Sequence, residues 1–219
     1  MAFNVAIDGP AGAGKSTIAK AVAAKKGYVY VDTGAMYRAM ALYFLRANIR
    51  KDDEAKISAS VDDIKVSIKY EDGAQHVILN DEDVTGLIRT EEVGNMASAT
   101  SVYGAVRTKL VALQQELAKT TDVIMDGRDI GTVVLPNADV KVFLTASVEC
   151  RAKRRFDELK AKGENPDFDK IAKDIEERDY RDSHREISPL KQAEDATLVD
   201  SSDMTIDEVV DAIINLCNK

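Results

Sequence analysis

The sequence predicts an α/β fold: a parallel sheet of five short strands flanked by helices, with a β-rich stretch inserted after the first two strand–helix units. Three observations predict it. Five short apolar runs alternate with segments of helical period along the 219 residues. The first run enters a glycine-rich turn that opens directly into a helix, as strand–helix units do. Between residues 48 and 90, by contrast, Lys65-Val66-Ser67-Ile68-Lys69-Tyr70 alternates apolar and polar, Asp72-Gly73 follows, and then His76-Val77-Ile78-Leu79. That is the pattern of an antiparallel hairpin, which fits poorly in a run of parallel units.

Taken in order, Phe3-Asn4-Val5-Ala6-Ile7 is the first strand and Ile18-Ala19-Lys20-Ala21-Val22-Ala23 the helix after the glycine turn. Tyr28-Val29-Tyr30-Val31 is the second strand. Ala35 to Leu45 is a helix with Met36, Met40, Phe44 and Ala47 at helical spacing, and Asp32 or Thr33 can accept the free N–H groups at its start. From Glu91 to Lys119 the pattern is helical, with Val102, Val106, Leu110, Leu113 and Leu117 recurring on one face and Arg107 beside it. Asp122 to Asp126 is a strand whose carboxyl end leads into the loop Gly127-Arg128-Asp129-Ile130-Gly131-Thr132, and Val140 to Ala146 is another. An arginine-rich helix around 151–155 ends at Gly163 and Asn165-Pro166, after which Phe168 to Arg185 forms a second charged helix. The last unit is a strand at Thr197-Leu198-Val199 and a helix opened by the capping-box spacing Thr205-x-x-Glu208.

Composition bounds the possibilities. A hydrophobic content of 45% with 31% charged residues is that of a globular chain, and no apolar run reaches the length of a membrane span. The first strand begins so close to Met1 that a secretory leader has no room, which predicts a cytoplasmic protein. Two cysteines, Cys150 and Cys217, make no disulfide framework or zinc pair, and His76 and His184 lie far apart in sequence with no Cys or Glu at metal-ligand spacing. A net charge of −8 argues against a chain whose whole surface binds nucleic acid, although local basic clusters still matter. One domain with an insert is expected at this length.

The chemistry is concentrated at the predicted carboxyl ends of strands. Gly9-Pro10-Ala11-Gly12-Ala13-Gly14-Lys15-Ser16-Thr17 matches G-x-x-x-x-G-K-S/T in its strand–loop–helix context, in which backbone N–H groups curl around a phosphate at a helix N-terminus. Lys15 would reach the outer phosphates, and the Ser16 hydroxyl would coordinate Mg²⁺. Asp126, at a strand end, is a candidate to hold the same ion through water, or else a turn cap. Arg38 and Arg128 have the planar fork that grips a second phosphate, although surface ion pairing is the plainer use of arginine. Asp129 is a candidate for accepting hydrogen bonds from a ligand amino group. Arg178, Asp182 and Arg185 share one helix face, where an i,i+4 ion pair between Arg178 and Asp182 explains the spacing as well as function does. Asp83-Val84-Thr85-Gly86 spells the D-x-x-G of GTPases, but it falls in the hairpin stretch and not after a core strand.

Together, Ile7 to Thr17, Asp32-Thr33-Gly34-Ala35-Met36-Tyr37-Arg38, Gly86 to Val93, Asp126 to Thr132 and Glu177-Arg178-Asp179-Tyr180-Arg181-Asp182 resemble the bacterial cytidylate kinases nearly end to end. The first motif is generic to P-loop kinases, and the others are specific in combination. The resemblance implies a P-loop kinase fold in a single domain, with a β-rich monophosphate-binding insertion at about 34–100 and a helical lid at about 150–175. It implies transfer of the γ-phosphoryl group of ATP, with Mg²⁺, to CMP or dCMP, giving CDP or dCDP and ADP, by a monomer without nucleic-acid or membrane partners. By motif position it makes Gly9 to Thr17 the ATP loop, and Lys15, Arg128, Arg151 and Arg155 catalytic, with Arg154 beside them in the lid. It makes Arg38 and Arg128 the acceptor-phosphate clamp, Ser98, Arg107 and Asp129 the cytosine readers with Arg185 and Thr33 nearby, and Arg178 and Asp182 the ribose contacts. Two rivals remain open: a P-loop kinase with a small non-nucleotide acceptor such as a shikimate-type acid, and a slowly hydrolysing regulatory module.

Overall fold

The computed structural model describes residues 2–71 and 74–218. Its elements in chain order are β1 (Asn4–Asp8), α1 (Lys15–Lys26), β2 (Val29–Asp32), α2 (Thr33–Arg46), α3 (Glu54–Ser60), β3 (Val66–Glu71), β4 (Ala74–Leu79), β5 (Glu82–Asp83), α4 (Glu91–Thr100), α5 (Gly104–Ala118), β6 (Val123–Gly127), β7 (Val140–Thr145), α6 (Val148–Ala161), α7 (Phe168–His184), β8 (Thr197–Asp200) and α8 (Ile206–Leu216). The five-stranded sheet runs β2-β6-β1-β7-β8, and β3-β4-β5 form a small antiparallel sheet. Both were expected. The expected hairpin turn at Asp72-Gly73 lies outside the described residues.

The chain divides into two compact units, residues 1–30 with 120–219, and residues 31–119. In the first unit, β1 is parallel to β6 on one side and to β7 on the other, and the pairing places Ile7 opposite Asp126 and Asp8 opposite Gly127. Val5, Ile7, Ile124, Val142 and Leu144 are fully or almost fully buried, and Ile18, Ala19, Val22, Val209, Val210 and Ile213 pack on them from α1 and α8. Strands buried on both faces read as continuous apolar runs, which is why they were legible. The Thr205–Glu208 capping box that opens α8 is formed as its spacing predicts. Helices α6 and α7 pack on each other, with Phe156 edge-on to Phe168 at 6.1 Å between ring centres.

In the second unit, α2 packs on α4 and β4, burying Met36, Met40 and Phe44. The Asp32 carboxylate caps α2, accepting from Ala35 N–H at 2.8 Å, so the cap is Asp32 and not Thr33. The expected single helical stretch from Glu91 to Lys119 is two helices, broken at residues 101–103. The break takes Val102 off the face, leaving it 37% exposed, while α5 buries the i+4 row Val106, Leu110, Gln114 and Ala118 together with Arg107. Helix α3 was not foreseen, because its seven residues bury only Ile57 and so carry no periodic signal. Beyond β6, residues Ile130–Val134 form a π-helical turn where a loop was expected.

Candidate functional site

The glycine-rich loop between β1 and α1 is shaped by backbone that only glycine allows. At Gly9 a Cβ would lie 1.9 Å from the Leu144 carbonyl oxygen, and φ is +150°. Gly14, at φ 87°, turns the chain into α1, whose first N–H groups receive no side-chain cap. They are therefore presented to the loop interior, the arrangement that binds anions. Lys15 is buried and its Nζ donates to the Pro10 carbonyl at 2.8 Å. Burial pushes its pKa well below the usual ammonium value, with the Arg128 charge adding to the effect and Asp126 and Asp8 opposing it.

One turn on, Ser16 Oγ donates to Asp126 Oδ2 at 2.9 Å, and Tyr30 donates from its hydroxyl to Asp126 Oδ1 at 2.8 Å. Asp126 is buried at the end of β6. A hydroxyl and a carboxylate brought together at the foot of the glycine-rich loop make an oxygen-only donor set, which suits a hard cation such as Mg²⁺.

The chain leaving β6 carries the next group. Arg128 Nε donates to Asp182 Oδ2 of α7 at 2.8 Å. Burial would raise the Asp182 pKa, but the Arg128 guanidinium, with Arg178 and Arg185, outweighs it and holds the carboxyl below its usual value. Asp129 is buried, and Arg185, the residue closing α7, sets Nη2 at 3.8 Å from Asp129 Oδ1. Arg128, Asp129, Arg178, Asp182 and Arg185 are thus gathered between the β6 end and α7. Arg151 is 4% exposed; it donates from Nε to the Ala146 carbonyl and from Nη1 to the Ala11 carbonyl of the glycine loop, both at 2.9 Å, and forks onto Asp179 at 3.1 and 2.6 Å. Arg154 donates to the Ser201 carbonyl at 2.8 Å, and the exposed Arg155 pairs with Glu158 at 2.8 Å.

In the second unit, Arg38 lies one turn into α2, with Nη2 on Asp32 Oδ2 at 3.0 Å, and its buried Nε meets no acceptor among the described residues. A buried guanidinium N–H left without a protein partner is what an incoming anion would satisfy. Thr33, the first residue of α2, is 3% exposed. Arg107 is 4% exposed, donates from Nη1 to the Ser101 carbonyl at 3.3 Å and lies 5.9 Å from the Tyr37 ring centre. Ser101 Oγ in turn donates to the Ser98 carbonyl at 3.1 Å, so Ser101, in the break between α4 and α5, bonds both Arg107 and the Ser98 backbone.

Three residues escaped the sequence reading: Tyr30, which shares Asp126; Asp179, which holds Arg151; and Asp8, which accepts from the Ile130 and Gly131 amides. Asp8 and Asp179 each carried a signal, as a charge closing an apolar strand and as the unassigned acid of the Glu177-to-Asp182 motif. Tyr30 looked like any strand aromatic.

Residues 5–219 match the family model described as cytidylate kinase. A cytidylate kinase of Caldicellulosiruptor saccharolyticus is 52% identical over 99% of this chain and 96% of its own length. One of Lactobacillus johnsonii is 53% identical over 99% of this chain and 94% of its own. Among solved structures, an uncharacterised protein from Eubacterium ventriosum superposes with a TM-score of 0.56 over 99% of both chains at 11% identity, a likeness of fold alone.

Proposed function

The chain belongs to the cytidylate kinase family, and from that premise we propose that it transfers the γ-phosphoryl group of ATP to CMP or dCMP, giving ADP and the nucleoside diphosphate. The observation that carries the reading is the glycine loop with the Ser16–Asp126 hydrogen bond at its foot, in a chain of this family. The loop from Gly9 to Thr17 takes the ATP phosphates on its N–H groups. Lys15 leaves the Pro10 carbonyl to meet the transferred group. Ser16, and Asp126 through water, would hold Mg²⁺, which when bound supplies positive charge to the phosphate oxygens.

Arg128 in the first unit and Arg38 in the second each pair acceptor-phosphate oxygens in this reading. Asp129, Arg107 and Ser98 read cytosine, with Thr33 and Arg185 beside them, while Arg178 and Asp182 take the ribose. Residues at about 34–100 serve as the monophosphate-binding insertion and those at about 150–175 as the lid. Within the lid, Arg155 can exchange its exposed Glu158 partner for phosphate at little cost. Arg151 can also act on the transferred group, after exchanging part of its fork on Asp179. The acceptor oxygen is already anionic, so no general base is required, and positioning with charge neutralisation carries the step.

The reading extends to a cytoplasmic monomer. No helix among the described residues is long and apolar enough to cross a membrane. Measuring ADP release with CMP, dCMP, UMP, AMP and shikimate as acceptors tests the proposal: CMP or dCMP should be preferred, and turnover with shikimate alone, or hydrolysis indifferent to every acceptor, would overturn it.

A further inference from the structure

Asp8 closes β1, immediately before the glycine loop, and is 4% exposed. A carboxylate there bears a large desolvation cost, and an apolar side chain would suit the end of a buried strand better unless the charge has a use. Its partners show the use. Oδ1 accepts from Ile130 N–H and Oδ2 from Gly131 N–H, both at 2.7 Å. These are short, charge-assisted bonds to successive backbone amides. They follow directly on Arg128 and Asp129. The fit is close: a Cβ at Gly131 would lie 3.4 Å from Asp8 Oδ2 and 3.2 Å from the Lys141 side chain.

We propose that Asp8 is a positioning residue for the acceptor nucleotide: by holding the Ile130 and Gly131 amides, it sets the backbone that presents Arg128 and Asp129, and ties that backbone to the start of the ATP loop at Gly9. A two-point grip on adjacent amides fixes both position and tilt of the segment, which one bond would not. The inference rests on the reading of Arg128 and Asp129 as acceptor residues. It adds a part that neither contacts the nucleotide nor belongs to the phosphate loop motif.

The test is Asp8→Asn, which keeps size and one acceptor but turns an NH₂ group toward the second amide. KM for CMP should rise about tenfold or more while KM for ATP stays within about twofold, since a displaced segment misplaces only the groups it carries. Equal changes in both constants, or none in either, would overturn the proposal. Should the variant not fold, amide exchange followed by NMR on the unaltered protein decides the matter. Slow exchange at Ile130 and Gly131 without nucleotide, not slowed further by CMP, supports the grip; fast exchange that slows only when CMP is added shows that the substrate orders the segment, and overturns it. An unaltered protein inactive on CMP would undo the functional reading, while the exchange measurement would still report on the segment.

Discussion

Lys15 sits buried with its ammonium on the Pro10 carbonyl, in an environment that disfavours its charge. A group whose pKa falls on folding costs stability at every pH where the unfolded chain would carry the proton. Lys15→Ala should therefore abolish phosphoryl transfer, by roughly a thousandfold or more, while leaving the melting temperature unchanged or higher. A coupled assay and a thermal melt on the same sample check both halves. Gly9 makes the opposite case. Because its absent Cβ would sit 1.9 Å from the Leu144 carbonyl oxygen, Gly9→Ala should destabilise the protein by about 3 kcal/mol, read from urea midpoints. An unchanged midpoint would mean that β1 and β7 can part there without cost.

Among the elements, α7 was the most ambiguous in the sequence. Arg178, Asp182 and Arg185 fall on one face by spacing alone, and an i,i+4 pair within the helix explained them as well as a ligand did. The structure gives Asp182 a partner on another element, the Arg128 Nε at 2.8 Å, 54 residues away. Asp182→Ala should accordingly disturb two things at once: discrimination between CMP and dCMP through the ribose, and the aim of Arg128. We expect kcat/KM for CMP to fall about a hundredfold and the CMP-to-dCMP ratio to shift; unchanged rates on both nucleotides would remove Asp182 from the site. Helix α5 shows why patterns mislead. Val102 and Leu117 were legible as apolar, but the break at residues 101–103 and the burial of Arg107 and Gln114 follow from packing partners that no local period encodes.

For the whole molecule, the buried charges set how stability depends on pH. Burial raises the Asp8 carboxyl from its ordinary value of 3.8 to about 6, against the two amide hydrogen bonds and the Lys15 charge, which lower it, and with Asp129 adding to the rise. A raised carboxyl contributes stability that is complete below the unfolded value and is lost as pH climbs through the folded one. Between pH 4 and pH 7 this amounts to about 2 kcal/mol. Asp182, whose pKa is lowered, works in the other direction and is felt only as pH falls below 4. Unfolding free energies at pH 4 and 7 should thus differ less in Asp8→Asn than in the unaltered protein, and identical differences would contradict the shift. The sequence alone determined the alternating α/β plan, the glycine-rich loop between strand and helix, and the hairpin, because each is written in contiguous residues as a period, a glycine pattern or a turn. Only the tertiary structure decided that Ser16 meets Asp126, that Arg128 meets Asp182 and that Asp8 grips Ile130 and Gly131, across 110, 54 and 122 residues of chain. Those meetings depend on strand order and register, with Ile7 opposite Asp126 and Asp8 opposite Gly127, and parallel register is chosen by packing across the sheet and not by any local signal.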